Sequence, residues 1–181
     1  MIKNNDMEEL IMKEYIGTKL IKATPMTRGE YNNYRDWVIP EDEDPSDKGY
    51  LVEYLNSDNK VHPNHEGYIS WSPKKEFDDA YRKTTGLSFG LALEALKKGK
   101  RVARKGWNGK NMFLFLLPAN DNIPTKVIND PNLREVIESE TGKSTFDTYG
   151  SIRMWTADKK VLTGWLASQT DMLSDDWQII E

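Results

Sequence analysis

The chain has 181 residues and a formal net charge of −4, and it contains no cysteine. This composition excludes a disulfide scaffold, a thiolate zinc site, a cysteine nucleophile and a generally basic nucleic-acid coat. The acidic N-terminal leader lacks the apolar stretch of a signal peptide, and the longest apolar run, Met112 to Leu117, is far shorter than the roughly 20 residues of a membrane helix. We therefore expect a soluble cytoplasmic protein without a membrane or nucleic-acid polymer as partner.

The first half of the chain predicts strands and two short helices. After a polar leader with a frayed end, residues 15–23 alternate as a strand does, and Thr27 to Glu30 fit a capping box for a short helix. Ser72 and Pro73 predict the start of the second helix, as N-cap and first-turn residue. An acidic loop and two further strands are predicted at residues 41–47, 50–54 and 68–71.

The second half opens with an amphipathic helix and continues mainly as strands. Ser88 is the candidate N-cap of this helix, its apolar spacing continues to Leu96, and Gly99 ends it. Residues 112–117 are apolar without a break and predict a central strand covered on both faces. The remaining predictions are strands at residues 100–104, 152–156, 160–163 and 177–180, and a helix at 131–140 within a long, less regular connection, 118–150.

Charge divides the chain at a turn-like stretch, residues 83–86. Residues 1–86 carry a net charge of −5, whereas residues 87–181 carry +1. We therefore predict two small domains, 1–86 and 87–181, in the α+β class, with small antiparallel sheets and short helices. Domains of this size without disulfides often gain stability by association.

A basic stretch is the strongest chemical feature of the sequence. Seven Lys or Arg residues and no acid lie between Lys97 and Lys110, with Trp107 and Asn108 at an Asn-Gly turn. Cationic groups bind phosphate oxygens, an indole face stacks on a base, and an Asn amide pairs with a base edge. The alternative is a solvated helix end and strand face, with Trp107 in the core.

A polar run from Ser168 to Asp171 lies between Trp165 and Met172 and offers donors and acceptors for hydroxyl and amide groups. The alternative is an elaborate helix cap. The second half contains no histidine, so the usual general base near neutral pH is missing there. Neither standard spacing of a glycine-rich phosphate loop occurs.

The two histidines lie three residues apart in the first half. His62 and His65 have Asp58 and Glu66 as neighbours, a grouping that a metal site could use. A polar surface loop explains the same residues and is our expectation. We predict no metal and no other cofactor.

Two stretches of the second half, residues 87–117 and 155–177, resemble the Thoeris anti-defence two family of small phage proteins. The most specific segments are WNGKNMF at 107–113 and GWLASQTDMLSDDW at 164–177. Residues 15–83, through GYLVEY and GYISWSP, resemble a module that recurs in uncharacterised phage proteins.

The resemblance implies binding without catalysis. Members of the family capture cyclic signalling nucleotides that bacterial immune enzymes make. The best-known ligand class is glycocyclic ADP-ribose, and some members also hold cyclic oligonucleotides at a separate site. The resemblance further implies a homo-oligomer, a dimer or tetramer, with pockets at subunit interfaces, acting in the cytoplasm of the infected bacterial host. By motif position, Trp107 would be the stacking aromatic.

The chemistry of such a ligand agrees with the two polar features. Basic residues near Arg104 suit a pyrophosphate, the run from Ser168 to Asp171 suits ribose hydroxyls, and Trp107 suits adenine. We predict no catalytic residue. The candidate ligand-binding residues are Arg104, Trp107, Asn108, Phe113, Met154, Trp165, Ser168, Gln169, Thr170 and Asp171.

Two other functions compete with sequestration. A cyclic-nucleotide hydrolase would use Asp171 and Asp175 with a metal ion. A protein-binding inhibitor would use the acidic first half to contact a partner protein.

Overall fold

The computed structural model describes residues 14–55 and 57–180. The chain divides into two compact units, Met1–Ala80 and Tyr81–Glu181. Within the described ranges every strand pair is antiparallel and the helices are short, which confirms the predicted α+β class. Residues 1–13 of the polar leader that the sequence predicts lie outside the described residues.

The first unit is a three-stranded sheet with two helices. Its strands follow the order β1-β2-β3, and its core contains Tyr31, Leu51 and Ile69. The capping box at Thr27 is present, with Thr27 and Glu30 bonded reciprocally. The elements are β1 (Lys22–Pro25), α1 (Arg28–Tyr34), β2 (Gly49–Tyr54), β3 (Tyr68–Pro73) and α2 (Lys74–Ala80).

Two predicted boundaries in this unit are wrong. The first strand begins at Lys22 rather than Tyr15, because Lys22 already pairs with Glu53, next to the end of β2 at Tyr54. Residues 14–21 therefore have no partner along β2. Ser72 is not a helix N-cap: it pairs with Tyr50 inside β3, and the helix starts only after Pro73.

The second unit contains a five-stranded sheet and a separate two-stranded one. The larger sheet has the order β10-β4-β5-β8-β9, and the smaller one pairs β6 with β7. The elements are α3 (Phe89–Lys97), β4 (Arg101–Arg104), β5 (Phe113–Leu117), β6 (Asn120–Pro124), a 3₁₀ turn (Thr125–Val127), α4 (Pro131–Thr141), β7 (Thr145–Thr148), β8 (Ser151–Trp155), β9 (Val161–Thr163), α5 (Gln169–Met172) and β10 (Trp177–Ile180).

The core of the second unit lies between α3 and one face of the larger sheet. Leu96 of α3 is fully buried, and so are Val102, Leu114 and Trp177 of the sheet. Gly99 follows the helix with a φ of 77°, as the sequence predicts for its stop. Ser88 stands at the N-cap position, but its side chain makes no capping hydrogen bond.

The other face of the larger sheet is only partly covered. Side chains alternate along a strand, so Arg101 and Phe113 point away from the face of Val102 and Leu114. Strand β5 is central, as predicted, yet Phe113 and Phe115 remain half-buried and Leu117 is exposed. The expectation of a strand covered on both faces is therefore wrong.

The long connection between β5 and β8 has more structure than the sequence suggests. The predicted helix is present as α4, with Asp130 capping it through hydrogen bonds from Asn132 and Leu133. Strands β6 and β7 were not predicted. They pair across about 20 intervening residues and contain an irregularity between Asn120 and Ile123, so no continuous alternation marks them in the sequence.

Candidate ligand-binding groove

An open groove of about 560 Å³ lies at the end of the larger sheet where β4 runs into β5. Its sheet residues alternate with the buried Val102 and Leu114, so the groove opens on the face that α3 does not cover. The sheet contributes Arg101, Ala103, Phe113, Gln178 and Ile180. The other lining residues are Arg104, which ends β4, and the turn residues Lys105, Trp107, Asn108, Gly109, Lys110, Asn111 and Met112.

The groove is basic and contains aromatic and amide groups. Arg101 lies over the Phe113 ring, with its guanidinium carbon 5.2 Å from the ring centre. Arg101, Lys105 and Lys110 take part in no ion pair within the described residues. These three cations therefore line the groove without a carboxylate of residues 14–55 or 57–180 to neutralise them.

Asp171 lies behind the groove and accepts hydrogen bonds from three side chains. Asp171 as a whole is 9% exposed. One oxygen accepts from Arg104 Nη1 at 2.9 Å and from Trp107 Nε1 at 3.2 Å. The other accepts from Ser168 Oγ at 2.7 Å and from the Ser168 backbone N–H at 3.1 Å. Asp171 thus joins α5 to the two residues that the sequence predicts to bind phosphate and base.

Asp176 fixes the turn that carries the groove residues. Its carboxylate accepts from Arg104 Nε at 2.8 Å and from the Gly106 backbone N–H at 2.7 Å. The Asp176 carbonyl accepts from the Lys105 N–H at 3.1 Å. A Cβ at residue 106 would lie 2.7 Å from an Asp176 oxygen, so this close approach requires glycine.

The charges of this network depend on one another. Burial raises the pKa of Asp171, but hydrogen bonds from Ser168, Arg104 and Trp107 outweigh burial and lower the pKa to about 2. Arg104 holds the pKa of Asp176 below its usual range, and the two carboxylates raise the pKa of Arg104. Arg104 is therefore a cation already balanced by two anions.

Trp107 belongs to an aromatic cluster as well as to the groove. Its ring centre lies 5.4 Å from that of Trp177 and 6.3 Å from that of Trp165, both in edge arrangements. Trp165 in turn lies 6.5 Å from Phe89 of α3. The indole is half-buried, so packing orients the part of it that lines the groove.

The structure brings together only some of the predicted site residues. Arg104, Trp107, Asn108 and Phe113 line the groove. Met154 is buried in the core, and Trp165 packs against it. Ser168 and Asp171 form a reciprocal capping box for α5, which is the helix-cap alternative of the sequence analysis, and Gln169 and Thr170 are exposed residues of that helix.

Other groove residues were missing from the predicted set. Arg101, Lys105 and Lys110 belong to the basic stretch, and alternation along β4 is a signal that places Arg101 on the open face. Gln178 reaches the groove because it pairs with Ala103, 75 positions earlier in the chain. No local pattern marks that pairing, nor the contact of Asp176 with the turn.

The histidines of the first unit form a separate polar cluster. His65 Nδ1 lies 3.2 Å from a Glu53 carboxylate oxygen, and His65 Nε2 lies 3.0 Å from Tyr34 Oη. His62 stacks on Tyr34 with ring centres 4.4 Å apart. Glu53 rather than Asp58 or Glu66 is the acid beside His65, and it also accepts the Glu66 N–H at 2.8 Å.

Among residues 14–55 and 57–180, no group of three or more His, Cys, Asp or Glu side chains is placed to hold a metal ion. No helix in these ranges combines the length and the hydrophobicity of a membrane-spanning segment.

The fold and the groove define a small antiparallel α+β protein with a basic, aromatic groove on an uncovered sheet face. Comparison with known families then places it: residues 87–180 match the Tad2-like family, described as the Thoeris anti-defense 2-like domain. The chain belongs to this family, which confirms the resemblance seen in the sequence. The match lies within the second compact unit and covers nearly all of it.

A curated relative agrees with the family match. The chain is 40% identical over 103 residues to a protein named Thoeris anti-defense 2 from Bacillus phage SP01. The matched region covers 53% of this chain and 97% of the phage protein. A role in phage anti-defence follows from the two matches.

Proposed function

We propose that this protein binds and sequesters a cyclic nucleotide immune signal in the cytoplasm of the infected host and releases it chemically unchanged. The proposed ligand class is glycocyclic ADP-ribose, with cyclic oligonucleotides as a second class. Sequestration would keep the downstream anti-phage effector inactive.

The groove carries this proposal, because it combines groups for each part of such a ligand. Arg101, Lys105 and Lys110 provide cations for phosphate oxygens. Trp107 and Phe113 provide aromatic surface for a base, and stacking on an aromatic ring contributes about 1–3 kcal/mol per base. The amides of the groove add hydrogen-bond donors and acceptors for ribose and base edges.

The state of Asp171 supports binding rather than hydrolysis. A general base needs a free carboxylate oxygen near the water that it activates. Both Asp171 oxygens already accept hydrogen bonds from protein donors, and its pKa of about 2 makes it a weak base. These contacts favour a positioning role for Asp171 over a role in cleavage.

The test is stoichiometric. Purified protein is incubated with an excess of glycocyclic ADP-ribose, filtered and heated, and both fractions are analysed by chromatography and mass spectrometry. We expect a fixed number of ligands per protein chain, and full recovery of the original mass and retention time after heating. Loss of ligand that continues beyond the saturating amount would show an enzyme, and no retained ligand would contradict sequestration.

Self-association belongs to the same proposal. Exposed apolar side chains accumulate beside α5, with Leu166 87%, Leu173 82% and Met172 45% exposed. Such a cluster on a surface favours contact with another protein surface, and we propose a second copy of this chain.

Light scattering is expected to give a multiple of the 20.9 kDa chain mass. Leu173→Glu should lower that mass, whereas a wild-type protein that stays at one chain mass while it binds ligand would contradict the assembly.

A further inference from the structure

The cations of the groove differ in how far neighbouring acids neutralise them. Arg104 donates to Asp171 and Asp176, and its side chain is only 12% exposed. A guanidinium held by two carboxylates in this way has no net charge left to offer a phosphate. Arg101, Lys105 and Lys110, in contrast, are exposed and have no ion-pair partner within the described residues.

The contacts of Asp176 explain where Lys105, one of these exposed cations, lies. Asp176 accepts from the Gly106 N–H through its carboxylate and from the Lys105 N–H through its carbonyl. It therefore holds the backbone of the turn at the residue that follows β4. Arg104 bridges Asp176 to Asp171 beside the turn that carries Lys105, Trp107 and Lys110.

We infer that Arg101, Lys105 and Lys110 form the phosphate-binding element of the groove, and that Arg104 and Asp176 are positioning residues that do not contact the ligand. Three unneutralised cations around one groove match a ligand with at least two adjacent negative charges, such as a pyrophosphate, better than a single phosphate group. This inference rests on the proposed function only in taking the ligand to be a nucleotide. The three cations should also bind free pyrophosphate.

The first arm of the test removes the three exposed charges one at a time. Binding of glycocyclic ADP-ribose and of inorganic pyrophosphate is measured by calorimetry at two salt concentrations. Arg101→Gln, Lys105→Gln and Lys110→Gln should each weaken binding by up to about fivefold, the range for a charged contact partly open to solvent. Each should also reduce the salt dependence, because one screened charge pair is lost.

Lys143→Gln is the matched control for this arm. Lys143 is an exposed lysine of the same unit that lies between α4 and β7, outside the groove. We expect no change in affinity or in salt dependence. If all three groove variants behave as this control does, the assignment of the phosphate-binding element is wrong.

The second arm separates positioning from direct contact. If Arg104 bound phosphate, Asp176→Asn would remove a competing anion and tighten binding. In the positioning role, the same change loosens the turn and weakens binding by about tenfold, while the salt dependence stays as in wild type because the three exposed cations remain. Tighter binding by Asp176→Asn would overturn the inference. If Asp176→Asn does not melt cooperatively, the inference is judged from Arg101→Gln, Lys105→Gln and Lys110→Gln alone.

The two probes distinguish this inference from the proposed function. Pyrophosphate binding that depends on the three cations, without nucleotide binding, would support the phosphate-binding element and contradict sequestration of a cyclic nucleotide. If all three variants bind the nucleotide as tightly as wild type, the proposed sequestration is supported and the phosphate-binding element is wrong.

Discussion

At the scale of single residues, the protonation of Asp171 makes the stability of the fold depend on pH. Its pKa is about 2 in the folded protein, against an ordinary value of 3.8. A carboxylate with a lowered pKa stabilises the fold above the ordinary value, and this contribution is lost as the pH falls from that value through the folded one. Protonation removes the charge that Arg104 and Trp107 bind, so both lose a partner behind the groove.

We therefore predict an acid-sensitive fold. Melting temperatures measured from about pH 5 down to about pH 2 should fall, and Asp171→Asn should flatten that fall while lowering stability at neutral pH. The contribution is on the order of 1–2 kcal/mol, since solvent screens a network that is not fully buried. An Asp171→Asn variant with the same slope as wild type would show that other carboxylates control acid unfolding.

Trp107 combines a structural role with a proposed stacking role, and two substitutions separate them. Trp107→Phe keeps an aromatic ring but loses the hydrogen bond to Asp171, which should cost about 1–2 kcal/mol of folding free energy and little affinity. Trp107→Ala removes the ring as well and should weaken ligand binding by a further one to two decades. Denaturant unfolding and calorimetry measure the two effects. Equal affinities for both variants would place the stacking surface elsewhere.

At the scale of secondary-structure elements, the helix that covers the sheet ends at a left-handed residue. Gly99 has a φ of 77°, and a Cβ there would meet no atom within 4 Å. Gly99→Ala should therefore destabilise the second unit by about 1 kcal/mol through backbone strain alone. Thermal or denaturant unfolding measures this loss.

Gly90→Ala in the same helix is the control for that prediction. Gly90 is an exposed residue of α3, and the nearest atom to an added Cβ is Ser88 Oγ at 4.0 Å. Alanine there should leave stability unchanged or raise it by about 0.5 kcal/mol, because it has the higher helix propensity. Equal losses from the two substitutions would mean that the added methyl group, rather than φ, is responsible.

At the scale of the whole molecule, the second unit contains a complete core. Its buried cluster extends from Leu87 to Trp177, and the groove residues lie between Arg101 and Ile180 of the same unit. We predict that a fragment of residues 81–181 melts cooperatively and binds glycocyclic ADP-ribose with the affinity of the full chain. Circular dichroism and calorimetry test the two parts. A folded fragment with weaker binding would show that the first unit contributes to the ligand site.

Local patterns in the sequence were sufficient for many of the elements. The helix spacing from Phe89 to Leu96, the cap at Asp130 and the glycine after α3 each depend on residues within a few positions of one another. The same holds for the capping box at Thr27. Such short-range contacts form in the same way wherever the segment is placed. The α+β class followed from these elements, and the segments 107–113 and 164–177 led to the family.

Long-range pairing determined the rest, and the groove depends on it. The neutralisation of Arg104 by Asp171 and Asp176 joins residues 67 and 72 positions apart. Gln178 reaches the groove only through the register of β10 on β4, and β6 pairs with β7 across a helix. The sequence by itself determined which residues are basic, aromatic or acidic and which local elements they form. Only the tertiary structure decided which cations an acid neutralises and which stay free, because the energy of a charge depends on what surrounds it in space rather than along the chain.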